Sequence, residues 1–150
     1  MPPYYNKFKQ FLKWLETIET PLNLPLMGNS FFSMVVVKYN NKIIGVEVDN
    51  LGATNAFLPI ELFRMTIEYL SNCQDNYAPK GNAHNTQLGN PGMELSTIEG
   101  LIAHYYYNTP IGNWALSRIT PISHILDNAR DENNLQIIVN ANGALHLLII

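Results

Sequence analysis

Four histidines are the side chains whose chemistry would suit a metal site or acid–base catalysis: His84, His104, His124 and His146. No two of them have the short spacing of a zinc-binding motif, so the sequence predicts no metal site and implies no cofactor. His84 lies in a polar stretch at residues 81–85, where a catalytic base would need a carboxylate partner. The sequence shows none nearby, and a solvated loop is the simpler interpretation. For this reason a small enzyme that uses the His84 loop ranks third among our three hypotheses.

Two acidic residues, Glu47 and Asp49, alternate after an apolar run and are similar in spacing to the acidic cluster of magnesium-dependent nucleases. Those enzymes place a lysine beside the second acid, whereas Asn50 follows Asp49 here. Alternating acids are also typical of the solvent-facing side of a hairpin. The sequence contains neither a glycine-rich phosphate loop nor a G-x-S-x-G elbow. It therefore predicts no catalytic set.

The composition limits the class of protein. The chain has 150 residues, 47% of them hydrophobic, and its 9 basic and 12 acidic side chains give a net charge of −3. This balance lacks the positive excess that non-specific phosphate binding usually needs. Cys73 is the single cysteine, so no intramolecular disulfide can form. The first residues do not resemble a signal peptide and no apolar run approaches about 18 residues, so we expect a cytoplasmic protein with no membrane partner.

The first half of the chain predicts an N-terminal helix with a β-hairpin and a second helix, a unit over residues 1–72. Apolar residues recur at helical spacing over residues 4–19. Two β-branched runs, residues 31–39 and 43–49, flank Asn40-Asn41-Lys42, where asparagine suits a tight turn. A second turn at residues 50–52 leads to a short strand over residues 54–58. Pro59 then begins a helix.

The second half predicts a long polar loop or linker over residues 73–93, followed by a unit over residues 94–150. Ser96 and Glu99 form a capping box that begins a helix. A short helical piece over residues 114–118 and a third helix from Pro121 to Ala129 follow. Strands over residues 135–140 and 144–150 then flank a turn at residues 142–143, whose Asn-Gly pair is a strong hairpin signal. The expected fold class is α+β.

This order of elements resembles a winged helix-turn-helix module, which implies that residues 121–129 are a DNA-recognition helix and residues 142–143 the tip of the wing. Residues 117–122 also resemble segments of bacterial DNA-processing accessory proteins. Our second hypothesis is therefore a DNA-binding accessory or regulatory protein, and the resemblance implies four DNA contacts: Ser123, His124, Asn128 and Arg130. The charge argues against DNA binding, because residues 94–150 contain two arginines and five acidic residues, a net charge of −3.

The final hairpin instead favours protein contacts. It contains no lysine or arginine and is apolar on both faces, so it needs cover from its own chain or from another. Consecutive tyrosines on one helix also point in different directions, so at least one is exposed, and exposed aromatics are enriched at interfaces. Our first hypothesis is a non-catalytic interaction protein that binds a protein partner or a second copy of itself. Its expected contact residues are Tyr106, Tyr107, Trp114, Leu145, Leu147 and Ile149.

Overall fold

The structure is a computed structural model that describes residues 3–25, 30–49 and 57–149. These residues form four α-helices and two antiparallel sheets, which confirms the expected α+β class. None of the helices in these ranges is both long enough and apolar enough to cross a bilayer. The turn predicted at residues 50–52 and most of the strand predicted at 54–58 lie outside the described residues.

The first sheet is an antiparallel meander in the order β1-β2-β3-β4. Its strands are β1 (Leu22–Pro25), β2 (Phe31–Tyr39), β3 (Lys42–Val48) and β4 (Phe57–Pro59). The predicted β2–β3 hairpin is confirmed, and Asn40 and Asn41 form its turn with φ of 50° and 63°. Asparagine tolerates this left-handed conformation better than most residues do, which is why the turn forms here.

Two helices cover the inner face of this sheet: α1 (Pro3–Thr17) and α2 (Ile60–Asn72). Both helices were predicted. Phe11 and Phe63 are buried, and their rings stack with centroids 5.1 Å apart. On the opposite side of α2, Arg64 pairs with Glu61 and Glu68. Aromatic and aliphatic side chains therefore cover the inner face of the sheet.

The second sheet departs from the prediction. Its strands, β5 (Tyr77–Pro79), β6 (Ile138–Ala141) and β7 (Ala144–Leu147), pair in the order β5-β7-β6. The predicted β6–β7 hairpin is confirmed, but β5 comes from residues 73–93, which we expected to be a structureless loop. That segment also contains a 3₁₀ turn, Gln74–Asn76, and four buried side chains, Ala78, Ala83, Leu88 and Met93. The three-residue strand forms because β7 offers it a complete set of backbone partners.

The helices of the last third also differ from the expected winged-helix order. Helix α3 (Ile98–Leu101) continues into a wider π-helical turn, Ile102–Tyr106. Its N-cap is Thr97, whose hydroxyl accepts a hydrogen bond from the Gly100 amide at 3.0 Å, so the capping box predicted at Ser96 is wrong. Residues 114–118 are not helical. Helix α4 (Ile119–Asn128) was predicted, and it contacts β1 of the first sheet and β6 of the second.

One hydrophobic cluster joins the two halves of the sequence. It contains buried side chains of α1, such as Phe11, together with Ile125 of α4 and Leu145 of β7. Helix α2 contacts β3 and β4 as well as β5 and β7. Helix α2 therefore packs against both sheets.

Candidate functional site

The final hairpin is covered by its own chain. Leu145 and Leu147 are 0% and 4% exposed, because β7 lies between β5 and β6 and packs against α2. The expectation that this hairpin leaves its apolar residues open to a partner is therefore wrong for these two. Ile149, beyond the end of β7, is 52% exposed. The sequence pattern predicted the need for cover, but β5 and α2 provide it.

The aromatic candidates divide into two groups. Tyr106 and Trp114 are exposed, as is their neighbour Tyr105. Tyr107 is half-buried, and the Arg118 guanidinium lies 3.5 Å from the centre of its ring. A cation over a ring face is a favourable contact. Tyr107 is therefore engaged within the chain, whereas Tyr106 and Trp114 remain accessible.

The four residues implied as DNA contacts differ in burial and in their partners within the chain. Ser123 is fully buried. The Asn128 amide donates to the His124 carbonyl, and the Arg130 guanidinium donates to the carbonyls of Asp127 and Ala129. Helix α4 contacts both sheets, and its less buried residues, Thr120, His124, Asp127 and Asn128, lie on the remaining face. His124 is half-buried and lines a cleft that is described further below.

His84 lies on the surface, and in the described residues its side chain makes no hydrogen bond or ion pair. Within the same ranges, no three histidine, cysteine or acidic side chains gather closely enough to hold a metal ion. Among the described residues, no carboxylate is hydrogen-bonded to His84 to orient it as a base.

Glu99 is a buried carboxylate whose hydrogen-bond partner differs from the one that the capping-box pattern predicted. Its side chain is 1% exposed, and one carboxylate oxygen accepts a hydrogen bond of 2.7 Å from the Arg118 amide, just before α4. The other oxygen is buried without a hydrogen-bond partner in the described residues. Burial raises the pKa of Glu99 to about 7, although the amides of Arg118 and Ile119 and the Arg118 charge oppose this shift. Glu99 therefore links α3 to the start of α4.

The outer face of the first sheet is the candidate interaction surface. We define it by the side chains that point away from α1 and α2: Phe31, Val35, Val37 and Tyr39 on β2, Lys42 and Glu47 on β3, and Phe57 on β4. The register places Val35 opposite Glu47, and Glu47 opposite Phe57, so these residues are neighbours across three strands. Phe31 and Tyr39 are 66% and 68% exposed, and Val35 and Phe57 are about 40% exposed.

A glycine shapes this face. A Cβ atom added to Gly45 would lie 2.7 Å from the Phe57 ring and would overlap the Leu58 carbonyl oxygen. The ring of Phe57 therefore lies close to the β3 backbone at residue 45, where a glycine leaves room for it. This contact fixes the position of an aromatic ring that is open to solvent on its other side.

The outer face carries one charge of each sign. Glu47 and Lys42 lie toward opposite ends of β3, both exposed, and neither takes part in an ion pair within the described residues. Lys38 points to the inner side instead, where its amine pairs with Glu16 of α1 at 2.7 Å. The sequence contained a signal for this surface. Strand β2 is apolar at both odd and even positions, and this pattern is typical of a strand that is covered on both faces.

Comparison with known proteins adds no functional information. The chain matches no protein-family model, no curated protein and no solved structure. The proposals below therefore depend on the geometry of this chain alone.

Proposed function

We propose that the protein is a non-catalytic interaction protein that associates with a second copy of itself through the outer face of the first sheet. The supporting observation is the exposure of Phe31, Val35, Tyr39 and Phe57 on one continuous sheet surface. Antiparallel sheets commonly leave one face in water, but that face is then polar. A cytoplasmic location belongs to the same proposal, because Cys73 has no cysteine partner in the chain.

The size of the surface suits a weak dimer. The exposed parts of its four apolar side chains amount to roughly 400 Å² per copy, which is typical of the largest, and often functional, apolar patch of a monomer. With the surrounding polar residues, two copies packed face to face would bury about 1,000 Å², the lower limit for a specific interface.

The two charges of the outer face favour a second copy over another occupant. In a two-fold symmetric dimer, if residue i contacts residue j, then j contacts i. A two-fold axis near Gly45 places Glu47 of each copy beside Lys42 of the other, because these residues lie on opposite sides of Gly45 along β3. The same surface thus supplies both partners of each intermolecular ion pair.

Sedimentation equilibrium at about 10 µM to 1 mM protein tests this proposal. We expect concentration-dependent dimerisation by the native chain and none by Val35→Lys, because the new charge would be buried in the interface. Ile149→Lys is the matched control, since it places the same charge on an exposed apolar residue of the final hairpin. A native chain that remains monomeric throughout, or an Ile149→Lys variant that alone loses association, would contradict the proposal.

A charge swap tests the predicted pairing directly. We expect Glu47→Lys alone to weaken dimerisation by about tenfold or more, because each interface would then place two lysines together. The double variant Lys42→Glu with Glu47→Lys should recover most of the lost affinity, since it restores opposite charges across the axis. If the double variant associates no better than the single variant, the proposed two-fold arrangement is wrong.

A further inference from the structure

A cleft of about 580 Å³ lies on the second sheet's side of the molecule, where β5, the β6–β7 turn and α4 meet. We call it the Lys80 cleft. Polar side chains line much of the cleft: Ser30, Lys80, Thr120, His124, Asn140 and Asn142. Its volume lies within the range of small-molecule sites in proteins.

The backbone fixes Lys80 at the edge of this cleft. Its amide donates to the Gly143 carbonyl at 2.9 Å, and its carbonyl accepts from the Glu99 amide at 2.8 Å. The lysine is thus held between the β6–β7 turn and the start of α3. Its amine forms no ion pair in the described part of the chain, so its charge remains available to a ligand.

His124 forms a second basic group in the same cleft. Its ring packs against Phe32 with centroids 6.2 Å apart. Burial lowers the pKa of His124, the charge of Lys80 lowers it further, and Asp127 acts in the opposite direction. Lys80 and His124 therefore lie close enough for one charge to affect the other.

Asp127 is the acid whose charge acts on His124, but it is not part of the lining of the cleft. One carboxylate oxygen of Asp127 accepts hydrogen bonds from the Gln136 side chain at 2.6 Å and from the Asn140 amide at 3.0 Å. No acidic residue lines the cleft. Lys80 is thus the formally charged residue of the lining, and its ammonium group attracts anions.

We propose that the Lys80 cleft binds the phosphate group of a small phosphate monoester. The ammonium of Lys80 supplies charge-assisted donors, which make the strongest hydrogen bonds to phosphate oxygens. The Ser30 and Thr120 hydroxyls and the Asn142 amide provide further donors around the same space. A cleft of this volume holds more than a phosphate ion, which leaves room for the organic part of the ester.

The protonation of His124 provides the readout. Histidine NMR signals are followed from pH 5 to pH 8, with and without inorganic phosphate, at constant ionic strength. We expect phosphate to raise the apparent pKa of His124 by about half a unit or more, because a bound anion favours the imidazolium. The exposed His84 serves as the internal reference, and phosphate should affect its NMR signals less. An unchanged His124 at saturating phosphate would overturn the proposal.

Two lysine variants show whether the effect belongs to the cleft. We expect Lys80→Gln to weaken phosphate binding about tenfold, while leaving the backbone bonds of residue 80 in place. Lys9→Gln is the matched control, because it removes the same charge from α1, outside the cleft. An equal loss in both variants would mean that phosphate responds only to net charge, and the site would be rejected.

A nucleic acid is the remaining source of phosphate. A short DNA duplex is titrated at the same phosphate concentration, with the His124 signal as the readout. No response to the duplex supports a small ligand. A His124 response at a duplex concentration much lower than the required concentration of inorganic phosphate would show that the cleft binds nucleic acid. That result would overturn the proposal.

Discussion

Replacement of Leu145 by alanine is expected to lower the free energy of unfolding by about 2–5 kcal/mol. Leu145 is fully buried at the centre of the second sheet, where it pairs with Ala78 of β5 and Asn140 of β6. Truncation removes apolar contacts and leaves a cavity that α2 and the flanking strands cannot fill completely. Urea unfolding monitored by circular dichroism measures the loss.

Ile149→Ala is the control for this change. Ile149 lies only a few residues further along the same apolar tail but is 52% exposed, so its truncation should change the free energy of unfolding by less than about 0.5 kcal/mol. Equal, small effects of the two substitutions would mean that Leu145 is not part of the core. That result would revive the earlier interpretation of the final hairpin as an open binding surface.

The second large effect concerns pH and Glu99. The pKa of this buried carboxyl rises from 4.5 to about 7 on folding, chiefly because burial disfavours its charged form. The folded protein therefore binds a proton that the unfolded chain has released between these two values. Its contribution to stability is fully present below about pH 4.5 and is lost as the pH rises through about 7. The loss is on the order of 3 kcal/mol.

Comparison with Glu99→Gln isolates this effect. Glutamine keeps an oxygen that can accept from the Arg118 amide but cannot ionise, so the pH-dependent part disappears. We expect the free energy of unfolding of the native chain to fall between pH 5 and pH 8 relative to that of the variant. Parallel pH profiles for the two proteins would show that Glu99 does not titrate in this range.

The same residue shows where local sequence patterns stop being informative. Ser96 and Glu99 have the spacing of a capping box, yet Thr97 caps α3 and Glu99 turns to the Arg118 amide instead. Which group the Glu99 carboxylate binds depends on the position of α4, which begins 20 residues further along the chain. A pattern of four residues contains no information about that contact.

The candidate sites show the same limit. The apolar pattern of β2 was visible in the sequence, but which face the helices cover depends on packing. Similarly, Lys80 and His124 are far apart in the chain and were not connected by any motif. They meet because β5 joins the second sheet beside the turn at residues 142–143.

The sequence by itself determined the α+β class, helices α1, α2 and α4, and the two hairpins. These features depend on periodicity and turn chemistry over a few neighbouring residues, as at Asn40 and Asn41. Only the tertiary structure decided that β5 pairs with β7, that Leu145 is buried and that Phe31 and Tyr39 are exposed. The physical reason is that burial is not a property of a residue's type: it depends on distant segments that compete to cover the same apolar surface.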